Sequence, residues 1–364
     1  MFIVHVQNVA EALPIGVDLL LRNGVWNDSR AGRALVAPSP VVTVYEKPTD
    51  RVLLSAVRDA NPFFHVAEAM WMLAGRDDSA FLDTFVRDFG ARFADEGVIH
   101  GAYGHRWRKT FHFDQLDAVV AKLRFNDQDR QCVIQMWDCV PKFDEGSSDL
   151  LGGWKDRPCN THIYLRVRGD RGQTDHGNGN VQDYDNRVLD MTVCCRSNDI
   201  ILGAYGANAV HFSFLHEYLA ARIGVGVGTY YQFSNNYHMY EHEMDRLVKR
   251  IPTLGTALTA ALTDTRIFPP VRLVDDPATF DTELVGVLEA HERLLLVDNT
   301  SVEQKLHEYV DGLSNKFFPT VLWPMLMTHR KWTTHRSAAH FWSCEIKDEG
   351  WRTAVQEWMQ RRVK

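Results

Sequence analysis

Apolar and polar positions alternate along "THIYLRVRG": Thr161, Ile163, Leu165 and Val167 fall on one face, and His162, Tyr164, Arg166 and Arg168 on the other. A period of two predicts a strand with two unlike faces. "RQCVIQMWDCV" before it reads as a second strand, and "VLDMTVCCRSNDIILGAYG" resumes the sheet. The opening "MFIVHVQNVAEALPIGVDLLLRNG" reads as strand then helix, followed by a Gly/Arg-containing turn, "NDSRAGRALVAPSP", and strands around "VVTVYE" and "RVLLSAV". Val66, Met70 and Leu73 recur at helical spacing, with Gly75 as the stop. Helices are also expected over "DQLDAVVAKLRF" and the strongly apolar "NAVHFSFLHEYLAARIG". "GVGTYYQFSNNYHMYEHEMDRLVKRI" reads as strand, turn and helix, and the chain from about 290 onward mainly as helices. The polar, Gly-rich "GDRGQTDHGNGNVQDYDNR" reads as a surface loop or hairpin insertion. No repeat, low-complexity tract or linker divides the chain. The expectation is one mixed α+β domain over 1–364, a sheet packed with helices and a helical C-terminal extension over about 290–364.

Composition narrows the class. Across 364 residues the apolar content is 45% and the charged content 24%, ample for a globular core. The net charge of −7 argues against a protein whose main task is gripping nucleic acid. No apolar run approaches the ~20 residues that span a bilayer, and the N-terminus lacks the basic flank of a signal peptide. Six cysteines without paired CxxC spacing suggest neither zinc nor a disulfide framework. Reduced thiols in a cytoplasmic compartment are expected.

Cys159 follows Pro158 at the mouth of the "THIYLRVRG" strand, where a proline suits an entrance better than an interior. It is either a buried structural thiol or a nucleophile shown to a cleft. Glu68 lies in a helix beside Met70, Trp71 and Leu73, where desolvation would raise its pKa and let it carry a proton near neutrality. Arg196, Ser197 and Asp199 form the polar run "RSND" at a strand end. With Arg30 and Arg130, Arg196 would make a phosphate cradle, and near Cys159 it would favour the thiolate. Asn208 opens a buried helix, either as a cap or as an amide reading a heterocycle edge.

In this order the motifs carry a resemblance. "EAMWMLAG" resembles the glutamate–tryptophan helix of thymidylate synthases, "GAYGHRWR" their YGxQWR motif and "DRQCVIQMW" their subunit-crossing arginine strand. "RPCNTHIYLRV" is similar to their catalytic PCH strand, "CRSNDIILGAYGAN" to QRSxDxxLGxPFN, and "NNYHMY" to the ribose-binding DxHxY run. The resemblance covers about 20–245. It implies the thymidylate-synthase-like fold, with Cys159 adding to C6 of a pyrimidine deoxynucleotide and C5 then attacking the one-carbon unit of methylenetetrahydrofolate. By the same resemblance Glu68 manages protons, and Tyr103 assists removal of the C5 proton. Arg30, Arg196 and Ser197 hold the phosphate, with Arg130 reaching in from the other subunit of a homodimer. Asn208 reads the base, and His238 and Tyr240 the 3′-hydroxyl. Asp199, Trp71, Leu202 and Gly203 belong to the folate side.

Departures from the pattern point to one branch. The residue after the cysteine is Asn160, the second arginine of the pair is Gln131, and the chain ends in "QRRVK" without an apolar tail. Gly90 and Phe93 lie near where synthases shield the exocyclic methylene intermediate with tryptophans. Less shielding favours attack by water, hence a hydroxymethyl product, and "RSND" resembles the family's nucleotide hydroxymethylases. With one inserted residue in "LGAYGAN", Asn208 falls on the base-reading asparagine and suits uracil; without the insertion Ala207 falls there and the base is left open, and cytosine-using relatives would carry aspartate. The expectation is a dUMP hydroxymethylase, with dCMP hydroxymethylation and true thymidylate synthesis as alternatives. "HMYEH" (His238, Glu241, His242) also matches an inverted zinc-hydrolase motif, but that reading leaves Cys159, Arg196 and Asn208 without roles. A papain-like hydrolase and a non-catalytic nucleotide- or RNA-binding module are the other rivals.

Overall fold

The computed structural model describes residues 1–139, 148–169, 186–251, 255–297 and 299–363. Its frame is an eight-stranded mixed sheet. The strands are β1 (Phe2–Val6), β2 (Val25–Ser29), β3 (Gly32–Val36), β4 (Val41–Tyr45), β5 (Val133–Gln135), β6 (Asn160–Gly169), β7 (Arg187–Asp199) and β8 (Gly226–Tyr240). They run β1-β4-β8-β7-β6-β5, with the β2–β3 hairpin attached through β3 to the end of β8. β7 and β8 are parallel, and β6 pairs antiparallel with β7.

The helices are α1 (Val9–Asn23), α2 (Pro62–Leu73), α3 (Ser79–Asp83), α4 (Phe89–Phe93), α5 (Tyr103–Arg108), α6 (Gln115–Phe125) and α7 (Asn208–Ile223). After β8 come α8 (Glu241–Val248), α9 (Leu258–Leu262), α10 (Phe280–Leu296), α11 (Thr300–Asp311), α12 (Trp323–Thr334), α13 (Arg336–Glu345) and α14 (Glu349–Gln360). None of the described helices is long and apolar enough to cross a membrane.

Two central helices position the site. α2 starts on Pro62, which needs no N–H partner there, and Asn61 caps it by accepting from Phe64 N. It ends before Gly75, whose φ of +67° favours glycine. α7 is buried on nearly every side, as its continuous apolar run requires. The C-terminal helices are part of the same core: the Phe63 ring of α2 meets Trp358 and His329 edge-on, and Trp351 stacks on Phe214 of α7. They clamp the helix that carries Glu68.

Several elements differ from the sequence reading. "RVLLSAV" forms no strand; Leu53, Leu54 and Val57 are buried in an irregular segment, and Arg51 pairs with Glu217 beneath the Phe214 ring. Apolar alternation reports burial, and a strand also needs a free sheet edge. The expected turn over 27–40 contains most of the β2–β3 hairpin, missed because β2 is largely exposed and polar. β8 runs unbroken through "SNN" into α8, since β4 and β3 pair with successive stretches of it. The Gly-rich insertion, expected as a loop, lies almost wholly outside the described residues (170–185), as does the last residue of "QRRVK".

Candidate active site

Cys159 sits one residue before β6, and its carbonyl accepts from Arg196 N of β7 at 2.9 Å. A register shift between Asn160 and His162 opens the pairing at this point. The Arg196 guanidinium donates to the carbonyls of Pro158 (3.0 Å) and Arg157 (3.4 Å) and lies over the Trp137 ring. The phosphate-binding candidate is therefore fixed beside the thiol. Its charge does not decide the resting state: burial raises the Cys159 pKa above the free-thiol value, against the opposing pull of Arg196. Asp156 and Asp199 add to the rise, and the Tyr103 hydroxyl counters it. Arg196 favours the thiolate, as the sequence leads one to expect, but burial outweighs that pull.

Glu68, Trp71, Tyr103 and Asn208 line one cleft of about 620 Å³, together with Met72, Phe89, Phe93 and Asp156. α2 supplies the glutamate, α5 the tyrosine and α7 the asparagine. Burial pushes the Glu68 carboxyl up to about 8, and the Asp156 charge reinforces the shift. His211 faces it, Nε2 to Oε2 3.4 Å, while burial holds that imidazole down to about 3 and neutral. At pH 7 the carboxyl therefore carries its proton, in a cleft whose Tyr103 and Asp156 also act on the Cys159 thiol. Sequence reasoning missed Asp156 and His211. Asp156 stands three residues before Cys159, and nothing in a lone "KDRPC" marks it.

On the other side of the thiol, Asp199 ends β7. Its Oδ1 accepts from Ile201 N (2.9 Å) and Leu202 N (2.6 Å), starting a helical turn that is kinked at Tyr205 and Gly206 before Asn208. Among the described residues its Oδ2 is buried without a hydrogen-bond partner, and Oε2 of Glu68 has only the His211 contact. Buried acceptors left unpaired are costly unless a ligand supplies donors. His238 lies opposite Asp199 in the β7–β8 register, and Tyr240 follows with its ring 4.9 Å away. Tyr240 feels Asp199, Cys159 and Arg30, and Ser29 hydrogen-bonds it. Arg30, in the exposed β2–β3 turn, is thereby brought to the same rim.

Arg130 does not join. Cys132 O accepts from Leu165 N, so Arg130 lies towards the Val167 end of β6. Eight residues of strand place that end roughly 26 Å from Cys159. Nor does Gly90 leave the cleft open. A Cβ there would meet Ser79 Oγ at 2.5 Å and Asp83 Oδ2 at 2.7 Å, so the position faces α3. Phe89 and Phe93 present the rings to the cleft instead. "HMYEH" straddles the end of β8 and the start of α8, so its histidines do not share a helix face.

A family model for thymidylate synthase matches residues 17–265. The chain belongs to the thymidylate synthase family. A deoxyuridylate hydroxymethyltransferase of Pseudomonas phage M6 is 36% identical, with the alignment covering 100% of this chain and 95% of the relative. One of Bacillus phage SP01 is 34% identical over 78% of this chain and 67% of the relative. Among solved structures, the thymidylate synthase of T4 phage superposes with a TM-score of 0.52 at 16% identity, over 76% of this chain and 91% of that one. The last likeness shows the fold alone. It agrees with the expected mixed sheet and its helical C-terminal part.

Proposed function

We propose that the protein hydroxymethylates C5 of dUMP with methylenetetrahydrofolate. The observation that carries this reading is the end-to-end match to a phage deoxyuridylate hydroxymethyltransferase, which includes the C-terminal helices as well as the family core. One feature of the site supports it: a second carboxylate, Asp156, stands in the cleft with Glu68.

In this reading Sγ of Cys159 bonds to C6, and the ring electrons it displaces make C5 nucleophilic. The Tyr103 hydroxyl, which hydrogen-bonds the thiol, also takes part in removal of the C5 proton. Arg196, Ser197 and Arg30 hold the phosphate, and His238 and Tyr240 the ribose. Methylenetetrahydrofolate, when bound, supplies carbon at the oxidation level of formaldehyde. The Glu68 carboxyl and the Trp71, Phe89 and Phe93 rings of the cleft fit a flat heterocycle with N–H donors, and the unpaired Asp199 Oδ2, followed by Leu202 and Gly203, offers such a ring a further acceptor. The nucleotide gains CH₂O, water is consumed and tetrahydrofolate leaves, with no change of oxidation state.

Incubation with methylenetetrahydrofolate and dUMP, dCMP or CMP tests this. The expected outcome is a dUMP-derived product heavier by one CH₂O unit and no rise in dihydrofolate absorbance. A methylated nucleotide with stoichiometric dihydrofolate would make the protein a thymidylate synthase.

The same reading makes the protein a homodimer. Arg130 is too far from its own Cys159 to touch the same phosphate, and it serves the partner's site in this account. Equal amounts of Arg130→Ala and Cys159→Ala protein, mixed and allowed to exchange, should recover activity from hybrid dimers. About one site in four would then hold neither defect. Absence of rescue after demonstrated exchange would sink the shared site.

A further inference from the structure

We infer that Asn198 and Gln232 are positioning residues that fix which way round the Asn208 amide faces the base, and so select uracil over cytosine. The inference rests on the proposal above that this site takes a pyrimidine nucleotide. It begins at a group whose role is not in question: the carbonyl of Ala204 can only accept.

Gln232 Nε2 donates to that carbonyl at 3.3 Å and to the Tyr230 hydroxyl at 2.9 Å. Its Oε1 is thereby turned towards Asn198 and needs a donor. Asn198 Nδ2 supplies one at 3.0 Å and also donates to Ser234 Oγ at 3.0 Å. Asn198 Oδ1 must then accept, and Asn208 Nδ2 donates to it at 3.0 Å. All three amides are buried, Gln232 completely. Reversing one of them would set oxygen against oxygen or N–H against N–H where no water can repair the mismatch. The orientation read at one backbone carbonyl is in this way passed along three side chains to the cleft.

Gly203 gives the relay its room. A Cβ at that position would lie 2.6 Å from Asn198 Oδ1 and 3.4 Å from Asn208 Nδ2, on the contact between them.

With Nδ2 tied to Asn198, Asn208 offers the cleft a fixed pattern: Oδ1 as acceptor and the second Nδ2 hydrogen as donor. Uracil presents the complement, N3–H as donor and O4 as acceptor. Cytosine presents the reverse, N3 as acceptor and the 4-amino group as donor. To read cytosine, Asn208 would have to turn over and break its bond to Asn198. Asn198 and Gln232 touch no nucleotide in this account and act only through Asn208.

The test is the dUMP:dCMP ratio, measured as nucleotide affinity without folate and as kcat/KM with it. Wild-type protein should prefer dUMP by at least about a hundredfold. Asn198→Leu frees the Asn208 amide to turn, and should lower that ratio about tenfold or more by improving dCMP while weakening dUMP. Gln232→Met should shift it in the same direction by less, and decides the matter if Asn198→Leu does not fold. A merely structural role would weaken both nucleotides alike, so an unchanged ratio in folded variants overturns the relay. So does a wild-type preference for dCMP. Wild-type protein that binds neither nucleotide would instead overturn the substrate reading on which the relay rests.

Discussion

Cys159→Ala should lose turnover to the limit of detection, a fall of at least about 10⁴-fold, while remaining folded. Covalent catalysis has no substitute path when its nucleophile is removed, because every later step acts on the adduct. No neighbouring thiol can stand in. Cys195 is buried in the sheet opposite Asn160, and its pKa is raised well above the ordinary value by that burial. Cys194 faces away across β7. The fold should survive, because Cys159 contributes to it chiefly through its backbone carbonyl, and alanine keeps the bond from Arg196 N. A 5-fluoropyrimidine deoxynucleotide with methylenetetrahydrofolate should give wild-type protein a covalent adduct that denaturing mass spectrometry detects, and the variant none. Turnover above about 1% of wild type, or a surviving adduct, would mean that the bond to C6 is made elsewhere or not at all.

How much of this was legible before the structure depends on what each residue's role requires. Cys159, Glu68, Tyr103, Asn208 and Asp199 sit in motifs whose order along the chain is their signature; Glu68, Tyr103 and Asn208 line one cleft, and Tyr103 and Asp199 both act on Cys159. β6 announced itself because one face is buried and the other is not: Ile163, Leu165 and Val167 are in the core, while Tyr164 and Arg166 are exposed. β2 did not, since an exposed hairpin arm has no apolar face to show. Gly90 misled for a related reason. A missing side chain leaves a gap only on the side its Cβ would face, and at Gly90 that side is α3. Asp156, His211 and the Asn198–Gln232 relay were invisible because their meaning lies in partners far along the chain. Gln232 is 34 positions from Asn198 and answers to it only when β7 and β8 lie side by side.

Glu68 joins the stability of the fold to its chemistry. Its carboxyl is held up to about 8 in the folded state and would return to its ordinary value on unfolding. Folding therefore binds a proton between those limits. The stability due to the protonated form is complete below the unfolded pKa and is lost as pH rises towards 8. The shift corresponds to a loss on the order of 4 kcal/mol across that window. Glu68→Gln is neutral throughout and should remove this slope, leaving a variant more stable than wild type at pH 8. It should also be slower by about 10²–10⁴-fold, since an amide cannot deliver the proton. The groups around Glu68 set the reading of the pH profile. His211 and His65 are both pushed down by burial and stay neutral, whereas burial raises Asp156, whose negative charge acts on Glu68. Wild-type kcat should fall above pH 8, and Asp156→Asn should move that limb to lower pH, because the Asp156 charge is part of what holds the Glu68 proton in place. A Gln variant with full activity and an unchanged stability slope would show that Glu68 is already ionised and that the buried acid of this cleft is another group.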